Sequence, residues 1–209
     1  VPTPSIRIGA RPLLEYIANA SRRNRIIKEQ IRNYTDPSSQ AHVYYGPMIT
    51  AIKNAVSAAD PDAVLAKCVQ RASSERGQRA AFQAIADGFT TWYRSTSGTG
   101  VRVPFSTWTC GDLTVTLRDV FGLRLSSSRM MAVLPYVGSH QLQQADADVM
   151  LRIIEQSIDQ LLPGAQPVVL DTRRSKKFTL HSRKNRRDLD DAITGEVARY
   201  VTHWQAAAA

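Results

Sequence analysis

The spacing of apolar residues changes once along this chain, near Gly100, and that change limits the fold more than any single motif. Ahead of it, apolar positions recur every three or four residues, the period of a helix with one buried face. Leu13, Ile17, Ala20, Ile27, Ile31 and Tyr34 mark one helix from Pro12 to Tyr34, closed by the turn cluster Asp36-Pro37-Ser38-Ser39. A second begins near Pro47 and turns Met48, Ile49, Ile52, Ala55 and Val56 inward. Asp60-Pro61 reads as an N-cap followed by a first-turn proline, opening a third helix with the stripe Val64, Leu65, Cys68 and Val69. A fourth, about Ser74 to Arg94, carries Phe82, Ile85, Ala86, Phe89, Trp92 and Tyr93; the run Ser95 to Gly100 breaks it and reads as the clearest internal boundary.

Beyond Gly100, Leu113, Val115 and Leu117 alternate with Thr114, Thr116 and Arg118, the pattern of a half-buried strand. Leu123 and Leu125 continue it after a turn at Phe121-Gly122, and Met130 to Val137 is short enough for a buried strand whose far end Pro135 weakens. A helix follows from Gln143 to Leu162, stopped by Pro163-Gly164. Val168 to Leu170 and Phe178 to Leu180 read as a hairpin, and a last helix from near Asn185 presents Leu189, Ile193, Val197, Tyr200, Val201 and Trp204. Gly195, inside that helix, costs about 1 kcal/mol against alanine, which predicts close backbone packing there. The expected class is α+β: a bundle-like helical region over residues 10–95, then a small, mainly antiparallel sheet packed with two helices over residues 101–205. Trp92, Tyr93 and Trp204 are placed to knit the two into one compact body.

No apolar run approaches the roughly 20 residues needed to span a bilayer. Val1 to Gly9 has no charged stretch followed by an apolar one, so no secretory leader is read in it. Cys68 and Cys110 are the only cysteines, which favours free, partly buried thiols in a reducing compartment, hence a cytoplasmic protein.

Charge is distributed very unevenly. The chain has 27 basic and 18 acidic side chains, and eight of the bases lie in the sixteen positions Thr172 to Arg187, which contain no acid: Arg173, Arg174, Lys176, Lys177, Arg183, Lys184, Arg186 and Arg187. Without them the count is 19 against 18. So dense a like-charged block either stays solvated or meets a polyanion. Arginine forks and lysines on a two-stranded ribbon can follow a phosphate backbone, and Asn185 at a helix start could add amide donors. Arg186 and Arg187 in a first helical turn oppose the helix dipole, which is easier to understand if an anion sits there. A second basic cluster, Arg22, Arg23, Arg25, Lys28 and Arg32, reads first as a solvated helix face that could extend the same footprint.

Other chemistry has little support. The histidines His42, His140, His181 and His203 are scattered without metal spacing, and no metal or cofactor is expected. Phosphate-loop, dinucleotide and serine-hydrolase motifs are missing. Phe82, Phe89, Trp92, Tyr200 and Trp204 read as core, whereas Tyr44 and Tyr45, beside His42, are better candidates for exposed contact. The acids of the last two long helices, Asp146, Asp148, Glu155, Asp159, Asp188, Asp190, Asp191 and Glu196, read as solvated faces. The order helix, three strands, helix, strand over residues 74–171 resembles the αβββαβ core of the PD-(D/E)xK nucleases. That resemblance implies a strand aspartate, for which Asp112 or Asp119 could stand, and a Glu/Asp-x-Lys on the next strand. Met130 to Tyr136 contains neither the second acid nor the lysine, so a metal loses ligands and water its activator. Lone Asp171 is expected to pair with its basic neighbours.

The expected function is therefore a non-enzymatic module that binds nucleic acid, DNA or RNA, through phosphate contacts from the eight basic residues of the hairpin and helix start. The alternatives are a nuclease-like enzyme with an incomplete metal site, and an assembly protein whose basic face meets an acidic partner.

Overall fold

A computed structural model describes residues 6–35 and 44–208. Its centre is a five-stranded sheet in the order β2 (Gly98–Val101), β5 (Phe121–Leu125), β6 (Met130–Tyr136), β7 (Gln166–Asp171), β8 (Lys176–Phe178). Only the β6–β7 pair is parallel, with Tyr136 opposite Asp171; the other three pairs are antiparallel. A second sheet of three strands places β4 (Leu113–Thr116) between β1 (Ile6–Gly9) and β3 (Thr107–Cys110).

The period-two alternation of the central strands decides which helices pack where. Met131, Val133, Val168 and Leu170 point into one core with α3 (Gly46–Ala55), α4 (Pro61–Arg71) and α5 (Gln78–Thr96). Ala132, Leu134, Tyr136 and Val169 point into the other core, shared with α1 (Ala10–Ala18), α2 (Arg23–Thr35), α6 (Gln144–Gln156) and α8 (Arg186–Ala208). The inward residues of the small sheet, Ile6, Ile8, Leu113 and Val115, join this second core. The helices of the first half thus lie on both sides of the sheet. Trp92 meets Phe121 of β5, and Trp204 meets Tyr34 of α2.

The α+β class is as expected, and α3, α4 and α5 follow their apolar stripes. Asp60 caps α4, its carboxylate accepting the Ala63 N–H at 3.0 Å. Several boundaries differ. The helix read from Pro12 to Tyr34 is two helices, because Asn19 leaves helical geometry and Arg23 turns back to donate to the Tyr16 and Ile17 carbonyls that end α1. The turn cluster after it, and His42, lie outside the described residues. Gly98–Val101, which overlaps the run read as a boundary, is an edge strand, and Gly100 donates to the Val56 carbonyl at 2.7 Å. Pro135 sits in a central strand, where it is tolerated because the β5 ladder stops at the Phe121–Val133 pair and leaves that side of β6 without a partner. The long helix read to Leu162 breaks at Ser157, whose hydroxyl donates to the Ile153 carbonyl; a short α7 (Ile158–Leu161) follows.

The αβββαβ order is present as α5, β2, β5, β6, α6 and β7, with the β3–β4 hairpin inserted after β2. The alternating strand around Leu113 to Leu117 therefore belongs to the small sheet, and β5 takes its place in the central one.

Gly195 does not mark close packing: it is exposed, and a methyl group there would meet nothing within 4 Å. The close approach is at Gly88 of α5, where a Cβ would stand 1.9 Å from the Thr172 carbonyl oxygen. Gly195→Ala is expected to raise stability by about 1 kcal/mol, and Gly88→Ala to lower it by about 2 kcal/mol through overpacking. Urea unfolding of the two variants should show these opposite signs.

Candidate nucleic-acid interface

The basic segment begins where β7 ends. Thr172 to Arg174 form a single 3-10 turn, Ser175 takes a left-handed conformation (φ 53°), and β8 returns along β7. Gly88 lets this turn press against α5, and the Ser175 hydroxyl donates to the Gly88 carbonyl at 2.8 Å. The turn is thus fixed to the fold before any of its charges is considered.

The acids missing from the segment's own sequence arrive from neighbouring elements. Asp171, fully buried, accepts from Arg174 at 3.1 Å and from the Leu142 backbone N–H at 3.4 Å. Arg174 also donates to the Ser139 carbonyl at 2.8 Å, and Arg173 to the Val137 carbonyl at 2.9 Å and the Tyr45 hydroxyl at 3.3 Å. These two arginines strap down the loop that leaves β6. From α6, the buried Asp148 takes the Lys184 ammonium at 2.9 Å, and Glu155 takes Arg186 through two parallel bonds of 2.9 and 3.0 Å. Asp148 and Glu155 lie seven residues apart, one face of a helix. The anion anticipated at the α8 start is, for Arg186, Glu155 of the protein itself.

Four of the eight bases remain. Lys176, Lys177, Arg183 and Arg187 are exposed, and their side chains have neither an acid partner nor a hydrogen bond among the described residues. Lys176 lies over the Phe178 ring at 4.8 Å, on the α6 side of the sheet edge, and strand alternation puts Lys177 on the opposite side. Arg183 and Arg187 bracket the loop into α8, whose first turn is organised by Asn185: its side-chain oxygen accepts the Arg187 N–H and its amide donates to Asp188. The block is therefore two populations in one segment, four bases that hold the structure and four that face water.

Glu155 links Arg186 to Arg152, which also grips Asp190 at 2.8 and 3.0 Å. The acids of α6 and α8 are thus more than a solvated face. Burial pushes the Glu155 carboxyl up, but hydrogen bonds and charge from Arg186 and Arg152 outweigh it and hold it below its usual value. Hydrogen bonding from Arg152 lowers Asp190 as well. A depressed folded-state pKa contributes stability above the unfolded value and loses it as pH falls through the folded one. The difference in Tm between the wild type and Glu155→Gln should be full above the ordinary glutamate pKa of about 4.3 and shrink as pH falls below it.

The second basic cluster, on α2 and the turn before it, meets α8 at another point. Arg23 pairs with Glu196 at 2.9 Å, ten residues beyond Arg186 and so about 15 Å along the helix. Glu196 also pairs with Arg199, and Arg25 with Glu29. The acids considered for a nuclease centre are apart: Asp112 is exposed in the β3–β4 turn, and Asp119, ahead of β5, is held by Arg11 at 2.7 Å. No group of three histidine, cysteine or acidic side chains among the described residues could hold a metal ion. Cys68 and Cys110 are free and half-buried, their thiols raised by burial. No helix among the described residues is long and apolar enough to cross a membrane. Set against family models, curated proteins and solved structures, the chain matches none of them.

Proposed function

We propose that this protein is a non-enzymatic module that binds nucleic acid through its phosphates, with Lys176, Lys177, Arg183 and Arg187 as the contacting bases and Arg173, Arg174, Lys184 and Arg186 as the frame that holds them. The observation that carries this reading is the coexistence of both populations in one short segment. Four bases are locked by a buried aspartate, two carboxylates of α6 and loop carbonyls, so the four that reach water do so from a fixed backbone. Preorganised cations lose less freedom on meeting a polyanion than cations on a loose tail. Phosphate contacts of this kind confer affinity without base sequence, whether the polymer is DNA or RNA. The cytoplasm, where nucleic acid is at hand and thiols stay reduced, suits both this role and the two free cysteines.

Fluorescence anisotropy with a labelled duplex and a labelled single strand, at low salt and with or without Mg²⁺, tests the reading. Saturable binding of either polymer that needs no Mg²⁺ and leaves it intact is expected. Absence of binding to both overturns the proposal, and Mg²⁺-dependent cleavage would move the protein to the nuclease-like alternative. Self-association that survives digestion of all nucleic acid would move it to the assembly alternative.

A further inference from the structure

A cleft of about 650 Å³ opens beside the small sheet, and none of the four free bases of the C-terminal segment is among its described lining residues. Its walls come from β1, the first turns of α1, the last turns of α2, the end of β4 and the Tyr44–Tyr45 bend. Four arginines converge on it from these different elements: Arg7, Arg11, Arg32 and Arg118. Arg11 is satisfied by Asp119. Arg7, Arg32 and Arg118 are exposed and make no ion pair or side-chain hydrogen bond among the described residues; the Arg118 guanidinium lies 5.8 Å from the Phe105 ring. Two other acids line the cleft. Glu29 turns toward Arg25 at 3.4 Å, and Glu15, whose carboxyl is raised chiefly by desolvation, makes no ion pair among the described residues. Three arginines thus line one concavity without an ion-pair partner among the described residues.

Convergence of like charges from separate elements costs repulsion that an anionic ligand relieves. Guanidinium forks match phosphate oxygens in pairs, and the cleft volume lies in the range of small-ligand sites. The first turn of α1 lines the same space with no side-chain cap and no acid, so its field has the same sign as the arginines. Aromatic side chains stand at the same cleft. Tyr44 and Tyr45 form part of the wall, and Tyr45 is braced by stacking on Phe82 and by the Arg173 bond to its hydroxyl. Phe105 and Tyr34, the two large apolar side chains exposed among the described residues, stand at Arg118 and on the lining respectively.

From this pairing of unmatched arginines with aromatic walls we infer that the cleft binds a nucleoside diphosphate, the phosphates between Arg7, Arg32 and Arg118 and the base against the tyrosine wall. The site uses none of the four free bases of the C-terminal surface, although Arg173 of its frame braces the Tyr45 wall. Calorimetric titration of the full chain with ADP, and separately with inorganic pyrophosphate, tests it. ADP is expected to saturate a single site, and more tightly than pyrophosphate, which lacks the base. Arg7→Gln/Arg118→Gln, and Arg32→Gln alone as a second variant, should each weaken ADP by at least ~10-fold, the loss of charged hydrogen bonds. Among the described residues these arginines make no ion pair or side-chain hydrogen bond, so unchanged thermal unfolding of the variants is expected. Changing Lys176, Lys177, Arg183 and Arg187 together to glutamine should leave ADP binding untouched. No saturable ADP binding, pyrophosphate binding as tightly as ADP, or ADP binding lost in the C-terminal variant and kept in the cleft variants would each overturn the assignment.

Discussion

Arg174→Ala is expected to lower the unfolding free energy by about 3 kcal/mol, a large effect for a residue that the sequence presents as one more surface base. The reason lies beneath it. The Asp171 carboxylate has no exposed surface, and among the described residues it accepts, apart from Arg174, only the long bond from the Leu142 N–H. Removing the guanidinium leaves a buried charge with a single weak donor, and it also frees the Ser139 carbonyl of the loop after β6. About a third of the Arg174 side chain reaches water, so solvent entering the space it vacates keeps the cost toward the lower end for a broken buried pair. Arg187→Ala, in the same segment, should change stability by no more than about 0.5 kcal/mol. Adding Asp171→Asn to Arg174→Ala should recover part of the loss, because a neutral amide is cheaper to bury than a carboxylate. Urea midpoints for the four proteins check the pattern. A near-neutral Arg174→Ala would mean that Asp171 is not held as described, and the division of the basic segment into frame and free bases would go with it.

That division marks where sequence reading stops. The period of three to four found α3, α4, α5 and α8, because each buries one face, and a short apolar run found β6, which sits wholly inside. The density of charge from Thr172 to Arg187 and the pairing of Asp171 with a neighbouring base were both legible. The partners in space were not. Asp148 and Glu155 precede the bases they neutralise by more than thirty positions, and only the packing of α6 between the sheet and α8 brings them together. A signal existed in retrospect: an acid at 148, an arginine at 152 and an acid at 155 share one helical face, a pattern that suits an ion-pair network better than bare solvation. Gly88 was equally silent, since a glycine within a helix shows a contact only when the opposing backbone is known. β1 escaped because four residues at the edge of the chain carry too little alternation, and the break at Asn19 because the apolar stripe runs on across it. The arginine cleft could not be foreseen at all: its four bases are spread from Arg7 to Arg118.

Binding to duplex DNA should weaken with salt at a slope of about −3.6 in log K against log salt, the value for four neutralised phosphates and half of what all eight bases would give. On that slope, raising salt from about 50 to 200 mM costs about 150-fold in affinity. The quadruple variant Lys176→Gln, Lys177→Gln, Arg183→Gln and Arg187→Gln should lose both the affinity and the slope while keeping its urea midpoint, because none of the four makes an ion pair or side-chain hydrogen bond among the described residues. A slope near −7 would mean that the frame residues leave their carboxylates for phosphate, which the buried Asp171 and Asp148 make unfavourable. A competing explanation for Lys176 and Lys177 needs no ligand. β8 is the edge of the central sheet, and lysines on an edge strand discourage pairing with a second molecule. If that is their whole purpose, Lys176→Gln/Lys177→Gln aggregates more readily and the nucleic-acid slope stays where it was. Arg183 and Arg187 sit in the loop and helix beyond that edge, so edge protection cannot account for them. A two-base variant there that removes about half of the slope separates a phosphate-contacting surface from a guarded strand.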